Sequence, residues 1–257
     1  MYTAPVRAVV FDFDGTISTL RHGWEQIMEP LMLEQIANGA LPSDALIQKV
    51  RAYIRESTGI QTVYQMQWLK DEVESAGFDA ADRDVWWYKD EYNRRLLQQV
   101  NERIAAISNG QDSPENHLMD GSVAFLAALR ERGVEIYIAS GTDDVDLQNE
   151  IRVLGIAPYV TLAQGAPHRQ MDCSKEKVVR NLLQSLEKQS LAVIGDGKVE
   201  IRIGRDIGAR TIGIASDEVA RHGINPVKQQ TLLEAGADLI AGDFLDATAL
   251  LAFLGVK

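Results

Sequence analysis

Arg7-Ala8-Val9-Val10-Phe11-Asp12-Phe13-Asp14-Gly15-Thr16 opens the chain with an apolar run that two carboxylates and a glycine bring to a halt. Val6 to Phe13 is rich in β-branched and aromatic residues and reads as a buried strand of the parallel type. Along an extended chain residues i and i+2 share a side, so Asp12 and Asp14 leave the strand's C-terminal end together. That end is where open α/β sheets hold their ligands. Neighbouring carboxylates repel, and burying both is costly unless a cation or a shared proton compensates. The pair therefore points either to a bound hard metal or to a strand-ending surface turn.

From Ile17 to about His117 no buried strand is legible, and periods of three and four take over. Trp24, Ile27, Met28, Leu31 and Ile36 predict a first helix, which Pro30 either kinks or breaks. Pro42-Ser43-Asp44 opens a second, Thr62 to Ser75 forms a third ended by Gly77, and about Asp82 to Ser108 forms a long fourth. Trp86-Trp87-Tyr88 reads as packed aromatic core of this helical group, with a ligand-stacking platform as the alternative. Beyond it helices and strands alternate. Strands are predicted at Val134–Ala139, Tyr159–Leu162, Leu191–Ile194, Thr211–Ile214 and Asp238–Ile240. Helices are predicted at about Gly121–Arg132, Val145–Leu154, Ser174–Lys188, Val199–Ile207 and Thr231–Ala235, with a last one through Leu250. Such alternation predicts a parallel sheet covered on both faces. The first strand belongs with these later ones, so the helical stretch is an insertion. The expected division is an α/β core of residues 1–17 and 118–257 around an inserted helical cap of residues 18–117.

The 257 residues are 46% hydrophobic, enough for a sizeable core, and carry a formal net charge of −11. A phosphate backbone is repelled by such a surface, so nucleic acid is not an expected partner. No apolar run approaches the ~18 residues of a membrane span, and the start carries no signal peptide, so a membrane is not expected either. The single cysteine, Cys173, excludes an internal disulfide framework and fits a reducing, cytoplasmic setting. His22, His117, His168 and His222 lack zinc-like spacing.

Three further segments carry polar groups that matter. Ser140-Gly141-Thr142 ends a strand with a hydroxyl and a flexible glycine, which suits anion binding and equally an ordinary capped turn. Gly195-Asp196-Gly197-Lys198-Val199-Glu200 ends another with an acid at the tip and a second acid four residues on; Asp196 is a ligand or a helix N-cap. Ser174-Lys175-Glu176-Lys177 starts a helix with lysines that oppose the helix dipole, a cost of up to ~1 kcal/mol that hints at an anionic partner.

Taken in order, Asp12-x-Asp14-Gly15-Thr16, Ser140-Gly141-Thr142, Lys175 and Gly195-Asp196-Gly197-Lys198-Val199-Glu200 resemble the haloacid dehalogenase superfamily over essentially the whole chain. The resemblance implies an α/β Rossmann-like parallel sheet core with an inserted all-helical cap of the C1 type. It also implies Mg²⁺ dependence and phosphatase activity on a small phosphorylated metabolite, in a monomer or homodimer. Asp12 would attack phosphorus to give an aspartyl-phosphate, and Asp14 would protonate the leaving alkoxide and then deprotonate water. Mg²⁺ would be held by Asp12, the Asp14 carbonyl and Asp196, with Glu200 supporting it directly or through water. Ser140, with Gly141 and Thr142 after it, and Lys175 would meet the transferring oxygens. Two departures are visible. Glu200 stands where many members have Asp, and Lys177 competes with Lys175 for the family's lysine; nearness to the helix tip favours Lys175. The rivals are a phosphomutase of the same superfamily, a dehalogenase, and a non-catalytic binder of a phosphorylated ligand. For the leaving group, Arg21 and His22 at the start of the insertion and Gln61 in the turn Thr58–Thr62 are the candidate readers.

Overall fold

The computed structural model describes residues 4–78, 82–171 and 174–257; the first three residues and Cys173, both used above, lie outside them. Six strands form one sheet in the order β3-β2-β1-β4-β5-β6. They are β1 (Ala8–Phe11), β2 (Glu135–Asp143), β3 (Leu162–Ala166), β4 (Leu191–Gly195), β5 (Arg210–Ile214) and β6 (Leu239–Ala241). Every pairing is parallel, with Phe11 beside Ile138 on one side and Ile194 on the other. From β1 the chain first builds outward through β2 and β3, then crosses to build the other half. The reversal falls at β1 and β4, and a ligand crevice opens there at the strands' C-terminal ends.

Both faces are covered, as buried parallel strands require. On one, Phe11 packs edge-on against Phe125 of α5 (Ser122–Glu131) with ring centroids 6.3 Å apart, and Phe244 stacks on Phe125 at 5.3 Å. Leu147 and Ile151 of α6 (Asp144–Val153) and Leu250 and Leu254 of α10 (Ala247–Leu254) extend that cluster. On the other, Val178, Val179 and Leu182 of α7 (Ser174–Leu182) meet Val10 and Val193. The helices α8 (Lys198–Ile207) and α9 (Pro226–Ala235) follow β4 and β5.

Between β1 and α5 the described residues hold helices and no strand of the sheet. They are α1 (Glu25–Ala37), α2 (Asp44–Glu56), α3 (Thr62–Ser75) and α4 (Val85–Ser108). These helices share their own apolar cluster, with Met28, Leu31, Val50, Leu69, Tyr88 and Val100 at its centre. Tyr88 is fully buried there, and Trp86 and Trp87 are half-buried beside it. Helix α1 runs unbroken through Pro30. Pro30 and Gln26 are both exposed, so the carbonyl that loses its N–H partner is left to water.

Several boundaries differ from the sequence reading. β3 starts at Leu162 because Ala157–Tyr159 closes a 3₁₀ turn, where Pro158 has no N–H to give a ladder. α7 ends at Leu182, after which Gln184 and Ser185 bond three residues back and tighten the last turn. α9 starts at Pro226, five residues before the predicted start: the Asn225 side chain accepts from Val227 and Lys228 N–H and Pro226 stands at the first position.

Candidate active site

Asp12 follows the last residue of β1 and is buried; its N–H bonds the Ile194 carbonyl at 2.8 Å. Lys175, from the first turn of α7, reaches across with its Nζ 3.0 Å from Asp12 Oδ1. The same ammonium bonds Glu200 Oε1 and, at 3.2 Å, the Gly59 carbonyl. Lys177 is exposed. Burial pushes the Asp12 carboxyl well above the usual range, and Glu200, Asp196 and Asp14 add to that while Lys175 opposes it. Burial works against the charge on Lys175, yet Asp12 and Glu200 outweigh it and raise its pKa, so the ammonium is fixed in its charged form.

Asp14 leaves the same strand end with Asp12, and its Oδ2 accepts from Thr142 Oγ1 at 2.8 Å and Ser140 Oγ at 3.3 Å. Ser140 Oγ in turn accepts the Thr142 N–H at 3.0 Å. Ser140, Gly141 and Thr142 are the closing residues of β2, which runs four residues past the predicted strand, to Asp143. Asp14 Oδ1 is buried without a hydrogen-bond partner and lies 3.9 Å from Arg21 Nε. Gly15 turns the chain with φ +72°; a Cβ there would lie 2.3 Å from Asp196 Oδ2, so glycine lets the backbone and that carboxylate sit together.

Asp196 follows β4 and is buried. Its partner is Lys228 from the first turn of α9, at 2.6 Å, and the same Nζ bonds Ser216 Oγ at 2.9 Å and Glu218 Oε1 at 2.8 Å. Burial raises the Asp196 pKa against the pull of Lys228. Lys228 and Glu218 are the residues the sequence reading missed. For Glu218 a signal was present, the polar run Ser216-Asp217-Glu218 beyond the C-terminal end of β5; for Lys228 the Asn225-Pro226 start marks only where α9 begins.

A cavity of about 110 Å³ joins these groups. Asp12, Asp14, Lys175 and Asp196 line its core side, with Ser140, Gly141 and Thr142; Thr58, Gly59, Ile60 and Thr62 line it from the turn between α2 and α3. That turn lies directly on the core: a Cβ on Gly141 would meet Gln61 Cα at 3.4 Å, and one on Gly197 would meet Gly59 Cα at 3.5 Å. Gln61 is therefore beside the site through its backbone. Arg21 also lines the cavity, with its Nε and Nη2 held by Glu150 Oε1 at 3.0 and 2.6 Å and Nη2 by Asp146 at 3.4 Å. His22 is drawn the other way, toward Glu218 at 3.8 Å. The Trp86–Tyr88 cluster is not among the lining residues; the aromatic walls are Trp24 and Tyr92.

The donor set suits a hard cation. It is all oxygen, Asp14 Oδ1 and Glu200 Oε2 are buried without hydrogen-bond partners, and the neighbouring acids Glu200, Asp196 and Asp14 add to the raised pKa of Asp12. Among the described residues no three His, Cys, Asp or Glu side chains cluster closely enough to cage a metal by themselves.

A sequence model of the haloacid dehalogenase-like hydrolases matches residues 6–208. The chain belongs to that family. Among curated proteins none matches it in sequence. Solved structures of haloacid dehalogenase-like proteins share its fold at low identity. A "predicted phosphatase" from Clostridium acetobutylicum is 16% identical with a TM-score of 0.64, over 97% of this chain and 100% of that one. A "predicted phosphoglycolate phosphatase" from Haemophilus somnus is 15% identical with a TM-score of 0.63, over 96% and 99%. A β-phosphoglucomutase from Clostridium difficile is 13% identical with a TM-score of 0.57, over 97% of each chain.

Proposed function

We propose that this haloacid dehalogenase-like hydrolase is a Mg²⁺-dependent phosphatase that cleaves a small phosphorylated metabolite through an aspartyl-phosphate on Asp12, with residues 18–117 acting as its cap. The observation that carries the reading is the convergence on one cavity of a buried acid held by a lysine, Asp12 with Lys175, and a second acid held by two hydroxyls, Asp14 with Thr142 and Ser140.

Asp12 attacks phosphorus as the ester P–O bond breaks. Its raised pKa calls for a cation to keep it ionised, and Lys175 is that cation within the chain. Glu200 holds the Lys175 ammonium in place. Asp14 gives its proton to the leaving oxygen. Thr142 and Ser140 fix Oδ2, which leaves Oδ1, the oxygen without a hydrogen bond, to carry that proton. Asp14 then takes a proton from water, the water oxygen bonds to phosphorus, and the Asp12–P bond breaks to release phosphate. Asp12, Asp196 and the Asp14 carbonyl would hold Mg²⁺, with Glu200 behind them. When bound, the ion supplies positive charge against the repulsion between carboxylate and phosphate.

The test is release of inorganic phosphate from p-nitrophenyl phosphate, with Mg²⁺ and with the ion chelated. Release that depends on Mg²⁺ supports the reading. No release under either condition removes it, because a mutase would keep the phosphoryl group and a binding protein would leave the ester intact.

A further inference from the structure

We infer that the leaving group of the substrate is an uncharged alcohol, a polyol or sugar, and that the pairing of Arg21 with Glu150 behind it excludes carboxylate and second-phosphate groups. The inference rests on the phosphatase reading and adds the class of ester. Its basis is the charge balance on the side of the cavity away from Asp12. Arg21 is the cation there, and an arginine over a phosphatase site ordinarily invites a second anion. Here its Nε and Nη2 both bond Glu150, which is almost wholly buried, and Nη2 also meets Asp146. Arg21 is among the cavity's lining residues and neither acid is, so both neutralise its guanidinium from outside the cavity. An anionic group would have to compete with a carboxylate already seated at 2.6 Å. A cationic group would meet the guanidinium itself.

The other charges at this end are matched in the same way. Glu218 lines the cavity, and Lys228 meets it at 2.8 Å. The other lining residues at this end are neutral: Trp24, Ile60, Thr62, Gln65, Tyr92 and Leu96, with Thr58, whose hydroxyl donates to the Ile54 carbonyl at 3.1 Å. Tyr92 is buried, and burial holds its phenol far above the usual range, so it stays a neutral hydroxyl at any working pH. Aromatic faces edged by hydroxyls suit a compact polyol, whose C–H faces pack on rings while its O–H groups pair with neutral donors and acceptors.

The experiment compares kcat/KM for three groups of esters, with p-nitrophenyl phosphate as the reference. The neutral group is glycerol phosphate, erythritol phosphate and a hexose phosphate; the anionic group is phosphoglycolate, phosphoglycerate and a sugar bisphosphate; phosphoethanolamine is the cationic member. The best neutral ester should exceed the best of either charged group by about tenfold or more. Glu150→Gln, which uncages Arg21, should shift the anionic-to-neutral ratio upward by about tenfold, and Asp146→Asn by a smaller factor in the same direction. Asp146 is on the half-exposed side of the pair, so its variant keeps the test available should Glu150→Gln fold poorly. Equal rates on all groups, preference for a charged group, or a ratio unmoved by both variants would overturn the inference while p-nitrophenyl phosphate turnover leaves the phosphatase reading standing. Loss of turnover on every ester in the wild-type protein would overturn both.

Discussion

Lys228 reaches the site from a helix that follows the fifth strand, and its ammonium stands 2.6 Å from the one Asp196 oxygen that Gly15 also approaches. A divalent ion bound by Asp196 and this ammonium cannot share that oxygen closely without strong repulsion. Lys228→Met should therefore tighten Mg²⁺ or Mn²⁺ binding, measured by calorimetry, by about tenfold, and should lower the Tm of the metal-free protein because it leaves Asp196 buried without a counter-charge. Unchanged or weaker metal binding would show that Lys228 positions Asp196 and does not compete with the ion. The neighbouring acids were legible in the sequence, since a strand's period puts Asp12 and Asp14 side by side and Asp196 at a strand tip. Lys228 was not, because its partner lies 32 residues away and only the packing of α9 on the sheet joins them. Arg21 makes the same point. It was legible as a residue near the site, but Glu150, 129 residues away, determines what its charge is worth.

At the scale of elements, α4 ties the inserted helices to the sheet. Lys89 pairs with Asp143 at the end of β2, Asn93 bonds the same carboxylate at 2.8 Å, and Arg103 caps the carbonyls of Leu20 and His22. Lys89 is buried, so Asp143→Ala leaves an ammonium without its counter-charge and should cost about 1–3 kcal/mol, read as a drop in Tm of several degrees. The double variant Lys89→Met with Asp143→Ala should recover most of that loss. If the double variant loses as much as the sum of the single ones, the pair is not coupled. The four inserted helices and the alternation after them were legible because hydrophobic periods of 3.6 and 2 are local properties. The starts of β3 and α9 were misplaced because they depend on Pro158 and Asn225-Pro226, where turn and cap chemistry overrides the apolar pattern.

For the whole molecule the acid excess sets a limit on stability. Hydrogen bonds from Arg94 and Arg95 hold Glu91 at about 2, and Asn116 and His117 hold Asp112 at about 2, both below their ordinary 4.5 and 3.8. Burial works to raise Glu218, but His22 and Lys228 outweigh it and hold it below its ordinary value too. A carboxyl depressed in the folded state adds stability above its unfolded pKa and loses it as the pH falls through the folded value. Through these three groups Tm should fall steadily as the pH drops from about 4.5 toward 2, with Glu91→Gln showing a shallower fall. A Tm that is flat over this window would contradict the assignment of these pairs. The same fold brings four strand ends to one crevice, and the proposed chemistry depends on a single atom there, the carboxylate oxygen of Asp12. The most direct test is to mix the protein with p-nitrophenyl phosphate and Mg²⁺, quench with acid during turnover, and weigh the peptide that contains Asp12. The account predicts a mass gain of one phosphoryl group on that peptide, absent from Asp12→Asn, which should be folded and inactive. Turnover by the wild-type protein with no such adduct, together with activity in Asp12→Asn within about tenfold of wild type, would contradict it.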